Sequence, residues 1–227
     1  MKTLIKFKLA LASTLLSFSV LAAGDLHLEH ANTDISDTAS LQNGAKLFMN
    51  YCSGCHAIGF MRYNRIAQDL NLSDSLVAEH LMFAGDKPGE TITTAMSEED
   101  AAKWFGSAPP DLSLVARSKG TDWIYSYLKG FYEDDSKIFG VNNIVLANAA
   151  MPDVLWSLKE GKSETGFDQD VRDITNFLDY VGEPAKLIRT SLGVWVLLFL
   201  GILFVLTYLL KKEYWKDVKY GIWRPRD

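Results

Sequence analysis

The sequence predicts a mostly α-helical domain anchored by a single C-terminal transmembrane helix, and three observations lead there. Amphipathic stretches with helix-capping residues recur along the chain, while alternating strand patterns are scarce. Near the C-terminus, SLGVWVLLFLGILFVLTYLL (Ser191 to Leu210) holds twenty residues without a charge. At the other end a basic start, MKTLIKFK, is followed by an apolar run, LALASTLLSFSVLAA, that finishes in small residues.

That N-terminal pattern is the pattern of a secretory signal peptide, residues 1–23, removed after Ala22 or Ala23. Its apolar run is short for a helix that stays in a bilayer. LQNGAKLFMNYCSGCH (41–56) then reads as a helix running into a cysteine motif, and LSDSLVAEHLMF as a helix capped by Ser73. SEEDAAKWFG has Ser97 as cap, Asp100 at the third helical position and Gly106 as stop. TDWIYSYLKGFY and FDQDVRDITNFLDYVG are amphipathic, the second closing on Gly182. Turn-rich loops separate them: AGDKPGE, GSAPPDLS and GVNNIVLANAAMPDV.

A helix of twenty residues is about 30 Å long, the thickness of the bilayer's hydrocarbon. The transmembrane span is therefore 187–210, with Gly193 and Gly201 on one face where another helix could approach. The tail, 211–227, carries six Lys/Arg against three Asp/Glu, which marks it as cytoplasmic, with Tyr214 and Trp215 suited to the interface. Both ends then place one exported domain, residues 24–186, outside the membrane. Gly24 to Arg189 hold 25 acidic and 14 basic side chains, a formal charge of −11. Such a surface steers basic partners or merely keeps the domain soluble, which composition leaves open, and it argues against nucleic acid.

The only two cysteines lie in YCSGCHAIGF (51–60). A disulfide across two intervening residues closes a tiny loop and constrains little. A redox dithiol belongs in a βαβ context that the chain lacks. Zinc needs four ligands, and His27, His30, His56 and His80 offer no second pair at finger spacing. Cys-x-x-Cys-His is also the attachment signature of c-type haem, and this reading alone uses all three residues. On a helical turn positions 52, 55 and 56 share a face, so two thioethers pin a porphyrin edge while His56 reaches the iron. The domain is thus a cytochrome c-like haem domain with one covalent haem c.

The sixth iron position separates an electron-transfer centre from an open catalytic or gas-binding site. A methionine there raises the potential, because the soft thioether favours ferrous iron. Met49 and Met61 lie too close to the motif, and Met82 sits in a core-like helical pattern with Leu81 and Phe83. Met151, in LANAAMPDVL, has small neighbours that let backbone approach a flat ring, and Pro152 fixes the local chain. The pattern favours Met151 over Met96, with His80 as a further candidate.

Six segments in order, NGAKLFMNYCSGCH, MRYNRIAQDL, APPDLSLVARSKG, YSYLKGFY, NAAMPDVLW and the tail-anchored C-terminus, resemble the cytochrome c1 family, haem subunits of the ubiquinol–cytochrome c reductase (bc1) complex. The resemblance runs from about Leu41 to the C-terminus. It implies Cys52 and Cys55 as thioether anchors and His56 and Met151 as axial ligands. It implies a carbonyl in Pro109–Ser113 that orients His56, with proline, Pro110 among them, flat beside the porphyrin. Arg117 or Lys119 would bind a propionate, Lys119 standing where arginine is commoner, and Arg62, Tyr63 and Arg65 offer a second donor set. Gly44 and Phe48 would cross a late helix at Phe177 and Tyr180. The implied function is a one-electron relay without acid, base or nucleophile, from a Rieske iron–sulfur protein beside cytochrome b to a cytochrome c acceptor. The implied location is a bacterial inner membrane, with the haem domain periplasmic. SEED (97–100) and EDDS (133–136) would guide a basic carrier or serve as solvated helix ends. A membrane-anchored monohaem cytochrome serving an oxidase or another reductase shares all features except the family-like segments. An open-site haem enzyme or gas sensor is the more distant rival.

Overall fold

The structure, a computed structural model, describes residues 27–221. The expected signal peptide and the last six residues of the tail lie outside that range. In chain order the elements are α1 (Thr38–Tyr51), β1 (Ile58–Arg62), α2 (Tyr63–Asp69), α3 (Asp74–His80), β2 (Thr91–Ile92), α4 (Glu98–Phe105) and α5 (Val115–Lys119). There follow α6 (Thr121–Lys129), β3 (Phe131–Glu133), β4 (Val141–Asn143), α7 (Trp156–Gly161), α8 (Glu164–Gly182), α9 (Lys186–Tyr214) and α10 (Lys216–Lys219).

Local chemistry sets many of these boundaries. The side chains of Asp37, Ser73, Ser97 and Ser163 each accept a backbone N–H three residues on, satisfying a donor that a helix start would otherwise leave bare. Gly106 ends α4 at φ +78°, a conformation that a Cβ would penalise. Two expected boundaries move. The Ser163 cap starts α8 three residues earlier than the amphipathic pattern at Phe167. The helix expected through Tyr132 stops at Lys129, because Phe131–Glu133 pairs antiparallel with Val141–Asn143. β1 and β2 form a second antiparallel pair with an irregular register.

The core is a crossing of α1 and α8 at close range. A Cβ on Gly44 would lie 2.0 Å from the Asp173 carbonyl oxygen, so only glycine lets the two backbones meet. Beside it the rings of Phe48 and Phe177 pack with centroids 5.7 Å apart, both fully buried. Each such ring stabilises the fold by about 1.5–3 kcal/mol relative to exposure. The crossing also buries the Asp173 carboxylate, which accepts from Ser40 Oγ at 2.7 Å, Asn43 Nδ2 at 2.7 Å and Gln169 Nε2 at 2.8 Å. With those donors the buried carboxylate is satisfied.

The segment before α1 is laced onto the later helices. Ala31 N–H donates to Asp122 Oδ1 at 2.9 Å, Arg172 Nε to the Ala31 carbonyl at 3.0 Å, and Asn176 Nδ2 to the Asp34 carbonyl at 2.8 Å. Lys129 joins Glu29 (2.6 Å) to Asp168 (2.9 Å). α9 is different in kind. It extends beyond the expected 187–210 at both ends, its apolar stretch has a mean hydropathy of 2.5, and none of that stretch is buried against the domain. A helix of 29 residues reaches about 43 Å, long enough to cross a bilayer.

Candidate cofactor site

α1 delivers the cysteine motif to a cavity of about 390 Å³. The Cys52 N–H closes the helix on the Phe48 carbonyl at 2.8 Å. The N–H groups of Cys55 and His56 then both donate to the Cys52 carbonyl, at 3.0 and 2.9 Å. This tight turn carries all three side chains, and all three line the cavity. The thiols are not paired with each other. Cys52 is 7% exposed; burial, reinforced by the neighbouring Cys55, pushes its thiol up to about 12. Burial also raises Cys55.

His56 is oriented by one hydrogen bond. Its Nδ1 lies 2.8 Å from the Pro110 carbonyl oxygen, which can only accept. Nδ1 therefore carries the hydrogen and Nε2 keeps a free lone pair. Burial lowers the imidazole's pKa, against the Pro110 carbonyl and the Asp111 charge, and so favours the neutral form that binds metals. The Pro110 carbonyl is itself fixed. Leu112 N–H donates to the Ala57 carbonyl at 2.8 Å, and Asp111 accepts from Gly59 N–H (2.8 Å) and Ser113 N–H (2.7 Å). Loop 109–113 is thus stitched to the chain just after His56.

Met151 lies in another part of the lining, on the long loop between β4 and α7, with Leu146, Ala149, Ala150 and Pro152 beside it. Two buried asparagines shape that loop. Asn143 Oδ1 accepts the N–H groups of Val145 (2.8 Å) and Leu146 (3.2 Å), while its Nδ2 donates to the Tyr127 carbonyl at 2.8 Å. Asn142 Oδ1 accepts from Asn148 N–H at 2.8 Å, and its Nδ2 donates to Asp134 at 3.0 Å. Tyr127, also in the lining, directs its hydroxyl to Met151 Sδ at 3.5 Å. Burial pushes that phenol up to about 12.

Of the residues read from sequence, Cys52, Cys55, His56, Pro109, Pro110, Lys119 and Met151 meet at this cavity. Met96, Met82 and His80 do not line it. Arg117 does not either; it is exposed, with its stem beside Gly182, whereas Lys119 Nζ sits 5.5 Å from the Trp123 ring centroid. The second proposed donor set is engaged elsewhere. Arg62 donates to the Gly89 carbonyl, Tyr63 is in the core, and Arg65 pairs with Asp69 at 2.6 Å. Sequence reading missed Tyr127, Trp123, Asn142 and Asn143. The four-residue aromatic spacing Trp123, Tyr127, Phe131 and the doubled asparagine were the available signals.

These residues fit a haem. The cavity is walled mostly by apolar side chains, and it gathers two thiols, a neutral imidazole with a free lone pair, a thioether and a cation. That donor set suits a low-polarity macrocycle with a borderline metal and acidic edges.

The chain matches the model of the Cytochrome C1 family over residues 29–218. It is 48% identical to cytochrome c1 of Allochromatium vinosum, over 93% of this chain and 99% of that protein. A Nitrosomonas europaea protein named ammonia monooxygenase gamma subunit is 41% identical over 95% of this chain and 99% of its own length. Cytochrome c1 of Rhodospirillum rubrum is 31% identical over 81% and 84%. The chain belongs to the cytochrome c1 family.

Proposed function

We propose that the chain is the haem-bearing electron relay of a membrane-bound ubiquinol–cytochrome c reductase, taking one electron from a Rieske iron–sulfur protein and passing it to a cytochrome c-type acceptor. When bound, haem c supplies a ferric/ferrous couple. The chain's own residues do the rest. Cys52 and Cys55 hold the macrocycle through thioethers, so it cannot be lost to the surrounding solvent. His56, aimed by the Pro110 carbonyl, would hold the iron through Nε2, and Met151 would hold it through Sδ. Pro109 and Pro110, both in the cavity lining, would help to keep water from it. Lys119, which lines the cavity, would pair with a propionate, with Arg117 as the second cation of the same short helix. The one observation that carries this reading is the meeting of His56, its Nδ1 at 2.8 Å from Pro110 O, with both cysteines and Met151 around one apolar cavity.

The topology follows from the two ends. Residues 1–23 would export the chain and be removed, 24–186 would form the periplasmic haem domain, 187–210 would span the inner membrane beside cytochrome b, and 211–227 would remain cytoplasmic. Acidic groups of α4 (Glu98, Glu99, Asp100), of the end of β3 (Glu133) and of the turn after it (Asp134, Asp135) would steer a basic acceptor. Part of that acid also has local work: Glu99 pairs with Lys103 at 2.9 Å, and Asp134 accepts from Asn142 and Ser136. If it steers, acceptor reduction slows as ionic strength rises, and a rate indifferent to salt removes that role.

The test is a haem stain of the denatured chain together with the spectrum of Met151→Leu. Haem that stays with the denatured chain and a spectrum that loses its thioether signature support the assignment. Colourless protein with two reactive thiols overturns it. Co-purification with cytochrome b and a Rieske protein separates this relay from a tethered cytochrome that serves another enzyme.

A further inference from the structure

We propose that Tyr127 is a positioning residue that tunes the methionine sulfur, its hydroxyl donating to one lone pair of Met151 Sδ while the other serves the iron. The inference rests on the reading of Met151 as the thioether ligand. A thioether sulfur is a weak acceptor with two lone pairs, so both interactions can coexist. The 3.5 Å separation between Tyr127 Oη and Met151 Sδ is a reasonable reach for the large sulfur atom.

The donor is held firmly. The Tyr127 ring stacks on Trp123, with centroids 5.0 Å apart and planes 6° from parallel, and meets Phe131 edge-on at 5.3 Å. Its backbone carbonyl accepts from Asn143 Nδ2, and the same asparagine caps the first turn of the loop that carries Met151. One buried side chain therefore sets both the donor's backbone and the acceptor's loop. A tyrosine phenol is protonated through the neutral range, so it stays a donor.

The consequence is electronic. A proton donor on sulfur draws density away from the lone pair facing the metal. Ferric iron needs that density more than ferrous iron, so the contact disfavours the oxidised state and raises the potential. Removing the hydroxyl must lower it.

The experiment compares Tyr127→Phe and Met151→Leu in the haem-loaded, full-length protein in its membrane. Midpoint potential and the sulfur-to-ferric-iron charge-transfer absorption are read on each. Phenylalanine keeps the ring contacts, so Tyr127→Phe should retain haem and the absorption band, with the band shifted. Its redox equilibrium with a mediator should move about two- to ten-fold toward the ferric form, the range of one net hydrogen bond. An unchanged band and potential in Tyr127→Phe overturn the tuning role, and loss of haem from that variant replaces it with a purely structural one. If Met151→Leu keeps the band, the sulfur ligand lies elsewhere and the underlying assignment falls with the inference. If only Met151→Leu loses the band while Tyr127→Phe behaves as parent, the assignment survives alone.

Discussion

The two stretches of cavity wall that carry His56 and Met151, the proposed iron ligands, are built by opposite strategies. The His56 wall is local: a tight turn at the end of α1 places Cys52, Cys55 and His56 through bonds to one carbonyl, and a short loop aims the ring. The Met151 wall is an irregular loop whose course is set by two asparagine side chains, a neighbouring helix and a tyrosine. The first resembles secondary structure in its economy. The second depends on buried polar groups that are stable only when fully satisfied. The difference teaches where this site is robust and where it is adjustable: the cysteine–histidine group is placed by the backbone, while the methionine is placed by replaceable side chains.

The largest expected effect lies on the local wall. Replacing Cys52 and Cys55 together by serine removes both thioethers, so no haem should remain with the chain on a denaturing gel. Haem retained there would break the assignment of the anchors. Next is the crossing that seats α1. Gly44→Ala sets a methyl group against the Asp173 carbonyl, and the overpacking should lower stability by about 3 kcal/mol or more, seen as a fall in the unfolding midpoint. An unchanged midpoint would show that the two helices separate at little expense.

A smaller and more selective effect is expected on the other wall. Asn143→Ala leaves the N–H groups of Val145 and Leu146 and the Tyr127 carbonyl without their partner, at about 1–3 kcal/mol. Amide exchange should accelerate in residues 144–152 and remain slow in α1 and α8, and an added external ligand should displace the sulfur more readily. Uniform acceleration would erase the distinction between the walls.

The smallest effect concerns acid. The Ala31 N–H, opposed by slight burial and helped by His30, holds the Asp122 carboxyl below its ordinary value. A depressed carboxylate contributes stability above its unfolded pKa, about 3.9, and loses it as pH falls through the lower folded value. Below that window Ala31 should exchange its amide faster, and Asp122→Asn should remove the pH dependence.

What could be read in advance follows the same division. Cys52, Cys55 and His56 were legible as one cavity-lining group because their spacing lies within one turn. Ser73, Ser97 and Gly106 were legible because a cap or stop acts within a few residues. The membrane helix was legible because its solvent imposes an uninterrupted apolar run. Met151 could be ranked above Met96 by its small neighbours. Its supports could not be ranked, since a hydrogen bond from Asn143 to Tyr127 spans sixteen positions and leaves no periodic trace. Arg117 and Lys119 are two positions apart in a short helix, and only the direction of that helix separates the one at the cavity from the one beside Gly182.

The crossing of α1 and α8 has a consequence for biogenesis. It joins Ser40 to Asp173, 133 positions later, so the cavity cannot close until nearly the whole domain has been made. Once it closes, Cys52 is buried, and that burial raises its thiol pKa. Attachment of a prosthetic group at Cys52 would therefore be easiest on a chain still open at its distal end, with docking of the late helix as the latch.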